Sequence, residues 1–188
     1  MKFTKIQRIC MLLAIFNLLI LATACGGWTS EANSVVSILI AAIPMLVNII
    51  IAFAGVLPQP VIDAVSKWGA EAVSTLEDIK ALIADFANAP PNEQASIVEK
   101  IQAALKIVTD HLNSLLPDLH IVNVTVQRLV TLVVTEFSAL LGIIPVIQGQ
   151  VTVKREVQAR YHAVLHAKEF KHEFNDLAAE LGPDYQLK

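Results

Sequence analysis

The residues best suited to chemistry lie near the C-terminal end of the chain, where histidines and carboxylates recur at helical spacing. His162 and His166 are four residues apart, and Glu169 follows three residues later. In a helix these intervals place the side chains on one face. Two imidazoles one turn apart can chelate a divalent metal ion, and a carboxylate can complete the shell. The pattern allows a metal site at these three residues, but a charged, exposed helix produces the same spacing easily, so the solvated face of a helix is the favoured interpretation and the metal site is the alternative.

A second candidate is a pair of opposite charges inside a strongly apolar stretch. Arg128 and Glu136 lie eight residues apart between Leu119 and Ile147. Burying such charges is costly unless they are paired, so a buried pair would indicate function. The alternative is that each charge reaches solvent or contacts another helix.

Short motifs of several enzyme classes are missing from the sequence. It contains no Gly-rich phosphate loop, no Gly-x-Ser-x-Gly elbow and no His-Glu-x-x-His motif. Glycine is sparse and the polar loops are short, which disfavours an active-site cleft. We therefore predict that the protein is not an enzyme and has no catalytic residues and no cofactor.

The N-terminus has the pattern of a secretory signal. Lys2, Lys5 and Arg8 form a basic region, and the apolar run Ile9–Ala24 follows and ends in small residues. A basic region, an apolar region and small residues at its end are typical of a signal peptide. The run is short for a spanning helix, which needs about 20 residues. Residues 1–24 are therefore interpreted as a signal peptide.

The end of this signal carries a more specific motif. Leu21-Ala22-Thr23-Ala24-Cys25-Gly26 resembles the lipobox of bacterial lipoproteins. The resemblance covers roughly the first 27 residues, and it implies cleavage before Cys25 and attachment of diacylglycerol and an acyl chain such as palmitate to that residue. Because one buried methylene contributes about 0.8 kcal/mol, several acyl chains would hold the protein firmly on membrane lipid. An ordinary signal or an uncleaved anchor with an incidental cysteine is the alternative.

Composition and charge limit the partners. The net charge is −3, and removing the three basic residues of the signal gives −6 for the remainder, so we expect no nucleic-acid partner. The only other cysteine, Cys10, lies in the signal, so we expect no intramolecular disulfide. The hydrophobic fraction is 55%, which predicts self-association or a protein partner because monomers expose only limited apolar patches.

The first helix of the mature part is expected to be strongly hydrophobic. No charged residue lies between Val35 and Leu57, although Pro44 and Asn48 interrupt the run. Its length suffices to cross a bilayer, which takes about 20 residues. A helix buried on all sides of a bundle has the same composition. Both arrangements remain open from the sequence.

Two amphipathic helices follow, separated by the turn Asn88–Asn92. The first opens at Pro58-Gln59-Pro60, and the second is expected to run from near Pro91 to just before Pro117. The apolar stripe of the first comprises Val61, Val65, Trp68, Ala72, Leu76, Ile79, Ile83 and Phe86. That of the second comprises Ile97, Ile101, Leu105, Val108, Leu112 and Leu115. A short connection between two such helices predicts an antiparallel hairpin.

The stretch from Leu119 to Ile147 begins ambiguously. Val122, Val124 and Val126 alternate with polar residues as in a strand, but helical spacing follows and no second strand stands nearby. We predict a helix that Gly142 and Pro145 end. Arg128 and Glu136 make it a poor membrane span, because a central charge costs about 2.5–3.5 kcal/mol.

These elements predict an all-α fold, a small bundle of about four to five helices behind the signal peptide. The expected organisation is a signal at 1–24, a short tether at 25–33, the bundle at 34–149 and a polar helical tail at 150–188. We expect the helix of the tail to end at Gly182-Pro183, with frayed residues beyond it.

Three functional interpretations follow from the sequence. The first is an exported lipoprotein, anchored in the bacterial cell envelope, whose bundle is a structural or interaction module. The second is a small integral membrane protein of the holin-like kind that uses the 35–57 helix. The third is an envelope protein that binds metal through the His/Glu face of the tail.

Overall fold

The computed structural model describes residues 29–30, 32–53, 55, 57–147 and 167–188 of the 188-residue chain. Within these ranges the protein forms five α-helices and a 3-10 turn, and no strand. The helices are α1 (Ala32–Phe53), α2 (Gln59–Asn88), α3 (Pro91–Leu119), α4 (Val124–Ile147) and α5 (Ala167–Ala179), followed by the turn Pro183–Tyr185. The predicted all-α fold, a small helical bundle, is confirmed.

The hairpin of α2 and α3 has the packing that its stripes predict. Every predicted stripe residue of α2 from Val65 to Phe86 is buried, and so are four of the six predicted for α3. Trp68 is 1% exposed, and its indole Nε1–H donates a hydrogen bond to the backbone oxygen of Val108 at 3.2 Å. Trp68 is therefore a core residue that also joins the two helices.

Helix α1 lies in the core of this bundle. One side of it is fully shielded from solvent, and the exposed side carries small or polar residues such as Ser34, Ala41 and Asn48. A Cβ placed on Gly69 of α2 would lie only 2.6 Å from Cγ2 of Val47. The two helices thus approach each other at a point where only glycine leaves enough room. In the structure this segment packs in the bundle, and by length and composition it also meets the requirements of a membrane span.

The end of α3 and the start of α4 differ from the prediction. Helix α3 continues through Pro117 to Leu119, which is fully buried, and ends with His120 in the left-handed conformation at φ 43°. A proline removes only one helical hydrogen bond, and burial of Leu119 in the core favours one more turn. Helix α4 then begins at Val124 and includes two of the three alternating valines, Val124 and Val126, so the prediction of a helix instead of a strand is confirmed.

Asn123 explains where α4 begins. Its side-chain Oδ1 accepts hydrogen bonds from the backbone N–H groups of Thr125 at 2.9 Å and Val126 at 3.2 Å. These are the unpaired donors of a first helical turn, and asparagine is among the best residues to satisfy them. At its other end α4 runs to Ile147, so the predicted end at Gly142 and Pro145 is wrong. Extending an existing helix by one residue is far easier than starting a helix. Gly142 and Pro145 therefore do not have to end it.

Helix α5 packs on α4 and fastens the chain end. Phe170, Phe174, Leu177 and Ala178 are buried, and Gly182 turns the backbone at φ 143°, a conformation that favours glycine. The final residues return to the bundle, where Leu187 is buried, instead of fraying as the sequence analysis predicted. The ring of Tyr185 packs edge-on against Phe53 of α1, with centroids 5.3 Å apart.

Candidate functional site

Helices α4 and α5 enclose an open cleft of about 660 Å³. This volume lies within the range of roughly 300–1,000 Å³ that small-molecule sites occupy. Three apolar side chains, Leu132, Phe170 and Leu177, form part of the lining. Its charged lining residues are Arg128, Glu136, Glu169, Glu173, Asp176 and Glu180. The cleft therefore combines an apolar surface with five carboxyl groups and one guanidinium group.

The acidic wall of the cleft arises from the spacing of residues in α5. Glu169, Glu173 and Asp176 of α5 follow at intervals of four and three residues, and Glu180 lies just beyond the end of the helix, four residues after Asp176. These intervals keep the carboxyl groups on one side of the helix while the side with Phe170 and Phe174 packs into the core. The amphipathic pattern of α5 thus places a row of acids along the cleft.

Glu136 carries the buried carboxyl group of the site. Its side chain belongs to α4 and lines the cleft, yet the residue is only 5% exposed. Its Oε2 atom is buried and has no hydrogen-bond partner. Burial, and secondly the nearby carboxylate of Glu173, raise the pKa of Glu136 from 4.5 to about 7. A carboxyl group in this state changes its charge near neutral pH.

Arg128 and Glu136, the candidate buried pair, do not contact each other as an ion pair in the structure. Both residues line the cleft, but Arg128 is exposed and Glu136 is buried. No ion pair joins Arg128 to Glu136. Glu136 consequently keeps an acceptor atom that its own helix does not satisfy.

Only part of the predicted metal set can be placed. Glu169 is exposed on α5 and lines the cleft, whereas His162 and His166 lie outside the described residues. Among the residues that the structure describes, no three His, Cys, Asp or Glu side chains are grouped so that they could hold a metal ion. The metal site stays a prediction. Cys25, the predicted lipid site, also lies outside the described residues.

The position of Glu136 in the sequence indicates that it is buried. The hypothesis of a charged pair with Arg128 does not take that position into account. Leu129, Val133, Phe137 and Leu140 form the buried stripe of α4. Glu136 precedes Phe137 directly and lies seven residues after Leu129, so it falls on the edge of that stripe. A carboxyl group at such a position is expected to face the neighbouring helix rather than solvent.

Comparisons with known proteins give no relative for this chain. No family model matches it, and no curated protein or solved structure matches it. Two described helices are long and apolar enough to cross a membrane by length and composition, Ala32–Phe53 with a mean hydropathy of 2.7 and Val124–Leu141 with 1.5. Core helices of soluble proteins can have the same length and composition, so these two values do not distinguish a membrane span from a core helix.

Proposed function

We propose that the protein is a lipoprotein of the bacterial cell envelope, anchored through Cys25, whose helical bundle is a structural or interaction module and not an enzyme. The lipobox-like segment from Leu21 to Gly26 supports the anchor. The observation that carries most weight is the use of α1 inside the bundle. Because the apolar side of α1 covers the core, a lipid on Cys25 is a better anchor than this helix.

The mass of the intact protein, purified from its own membranes, tests the anchor. We expect a chain that begins at Cys25 and is heavier by a diacylglycerol group and an acyl chain. A chain that still begins at Met1 and carries no lipid would contradict the proposal. In that case the run Ile9–Ala24 would itself be the anchor.

A matched pair of cysteine variants tests whether the lipid is the attachment. Wherever its signal is still cleaved, we expect the Cys25→Ser protein to be released into the soluble fraction by alkaline carbonate extraction, because the diacylglycerol and the acyl chain are lost. Cys10→Ser, which changes the other cysteine of the sequence, is expected to leave the protein in the membrane fraction.

The second candidate function is a small integral membrane protein of the holin-like kind. The length and hydropathy of Ala32–Phe53 and Val124–Leu141 favour it. A Cys25→Ser protein that resists carbonate extraction after signal cleavage would support this candidate over the lipoprotein. Such a result would require α1 to leave the core in which its apolar side lies.

A further inference from the structure

The cleft between α4 and α5 carries more negative charge than its own residues neutralise. Five carboxyl groups line it against the single guanidinium group of Arg128, an excess of four negative charges when all are ionised. Glu169, Glu173 and Asp176 lie along α5 over about 10 Å at the helical rise of 1.5 Å per residue. The acids thus form an extended row rather than a compact cage, which suits a long cation better than a single ion.

Glu136 provides the second, independent observation. Its residue is 95% shielded from solvent and lines the cleft, and its buried Oε2 has no hydrogen-bond partner. A buried carboxylate that is incompletely hydrogen-bonded is unfavourable, so a ligand that brings a charged N–H group to this carboxylate would gain a strong interaction. Arg128 lines the same cleft but does not supply that donor.

The apolar residues of the cleft define the rest of the ligand. Leu132, Phe170 and Leu177 lie among the acids, so an occupant has to bury hydrocarbon as well as charge. A hydrated divalent metal ion has no such surface, and the described residues contain no group that could hold one. A chain of methylene groups joining several ammonium groups satisfies both requirements.

We propose that the α4–α5 cleft binds a linear aliphatic polyamine, with one ammonium group donating to the carboxylate of Glu136 and the others lying along Glu173 and Asp176. The methylene chain of the ligand contacts Leu132, the half-buried apolar residue of the lining. This binding function goes beyond the proposed membrane anchor and does not depend on it, because Cys25 and the cleft are tested by different variants.

Titration calorimetry of the full chain with spermine, at pH 8 and low ionic strength, tests the proposal. We expect saturable binding that Glu136→Gln weakens about tenfold or more, since a charged hydrogen bond is replaced by a neutral one. Glu173→Gln should weaken binding as well. Glu99→Gln removes one exposed carboxylate of α3 outside the cleft, and its affinity should equal that of the wild type.

Three results would overturn the proposal. The first is the absence of saturable binding of spermine by the wild-type chain. The second is equal affinity of the wild-type and Glu136→Gln chains, which would remove the central contact. The third is binding of Mg²⁺ as tight as that of spermine at matched ionic strength, which would indicate general attraction of counter-ions by the acidic wall.

Discussion

Glu136 lies where its helix otherwise places apolar side chains. This position raises its pKa and leaves its Oε2 without a hydrogen-bond partner. The stripe residue Phe137 beside it is fully buried, and Glu136 is nearly so. Its Oε2 finds no donor, so the ionised form lacks the hydrogen bonds that water would give it. Such strongly perturbed groups in clefts concentrate at functional sites, which is why this residue matters more than the exposed acids around it.

The stability of the protein is expected to depend on pH through Glu136. Its pKa is 4.5 without burial and about 7 in the folded protein. The stabilising effect of its proton is therefore fully present below pH 4.5 and is lost as pH rises through 7, at a cost on the order of 3 kcal/mol. Glu136→Gln should leave the Tm nearly unchanged at pH 4.5 and raise it at pH 8, measured by circular dichroism.

Two comparisons make this prediction specific. Arg128 and the α5 acids, including Glu169 and Glu173, face the same cleft and remain in both chains, so the difference between wild type and Glu136→Gln isolates one carboxyl group. Glu99→Gln should follow the wild type at every pH. A Glu136→Gln chain whose Tm difference from the wild type is the same at pH 4.5 and pH 8 would contradict the raised pKa.

At the scale of the elements, the α2–α3 hairpin could be predicted from sequence because its information is local and periodic. Trp68 and Leu112 belong to stripes that repeat every three or four residues, and both are buried as predicted. The errors lie at helix ends, where the sequence predicts that Pro117 and Pro145 stop their helices. Helix α3 continues because burial of Leu119 outweighs the loss of one hydrogen bond, and the sequence alone does not give that balance.

The cleft could be predicted only in its parts. The sequence predicts that Glu169 lies on a His/Glu face of a helix and that Glu136 is a charge in an apolar stretch. That these two features face each other depends on the packing of α5 on α4, a contact between segments far apart in sequence. Periodicity describes which face a helix buries, but not against which partner it buries that face.

The close approach of α1 and α2 at Gly69 gives a prediction with an unusual sign. In an open helix Gly→Ala stabilises by about 1 kcal/mol, but here the new methyl group would meet Val47 Cγ2 at 2.6 Å. We expect Gly69→Ala to lower the free energy of unfolding by about 1–3 kcal/mol, as overpacking does. Urea denaturation followed by circular dichroism measures the change.

A double variant separates overpacking from other effects. Val47→Ala removes the Cγ2 atom and leaves Cβ 3.7 Å from the new methyl group, an ordinary contact. Gly69→Ala should therefore cost less in the Val47→Ala background, and the difference measures coupling between α1 and α2. If α1 were inserted in a membrane away from α2, Gly69→Ala would instead stabilise the protein in both backgrounds.

On the scale of the whole molecule, the described helices share one core that uses most of the apolar side chains. Large hydrophobic residues that remain exposed in the described part are Ile107 at 67%, Val122 at 80% and Val124 at 65%. Single exposed side chains are ordinary on a protein surface. Many of the hydrophobic residues of the sequence thus pack α1 and α4 into the core of the bundle. Self-association stays a prediction.

The C-terminal residues connect α5, one wall of the cleft, to the rest of the bundle. A substitution at this connection can therefore loosen α5 without changing a residue that lines the cleft. Asn175 of α5 accepts from the Leu187 N–H at 2.6 Å and donates to the Leu187 carbonyl oxygen at 3.1 Å. Each bond contributes about 1 kcal/mol, so Asn175→Ala should free the chain end and increase hydrogen exchange in α5. We expect spermine affinity to fall although Asn175 does not line the cleft.

The matched control for Asn175→Ala is Lys168→Ala, because Lys168 is exposed on α5 and lies outside both the cleft lining and the chain-end contacts. Its exchange pattern should equal that of the wild type. Removing its positive charge should not weaken the binding of a cation. Faster exchange in α5 of Asn175→Ala with unchanged spermine affinity would mean that the α5 wall does not form the site. Joint loss of protection and affinity would instead tie ligand binding to the docking of the chain end against α1 and α5, the two helices that the terminal residues contact.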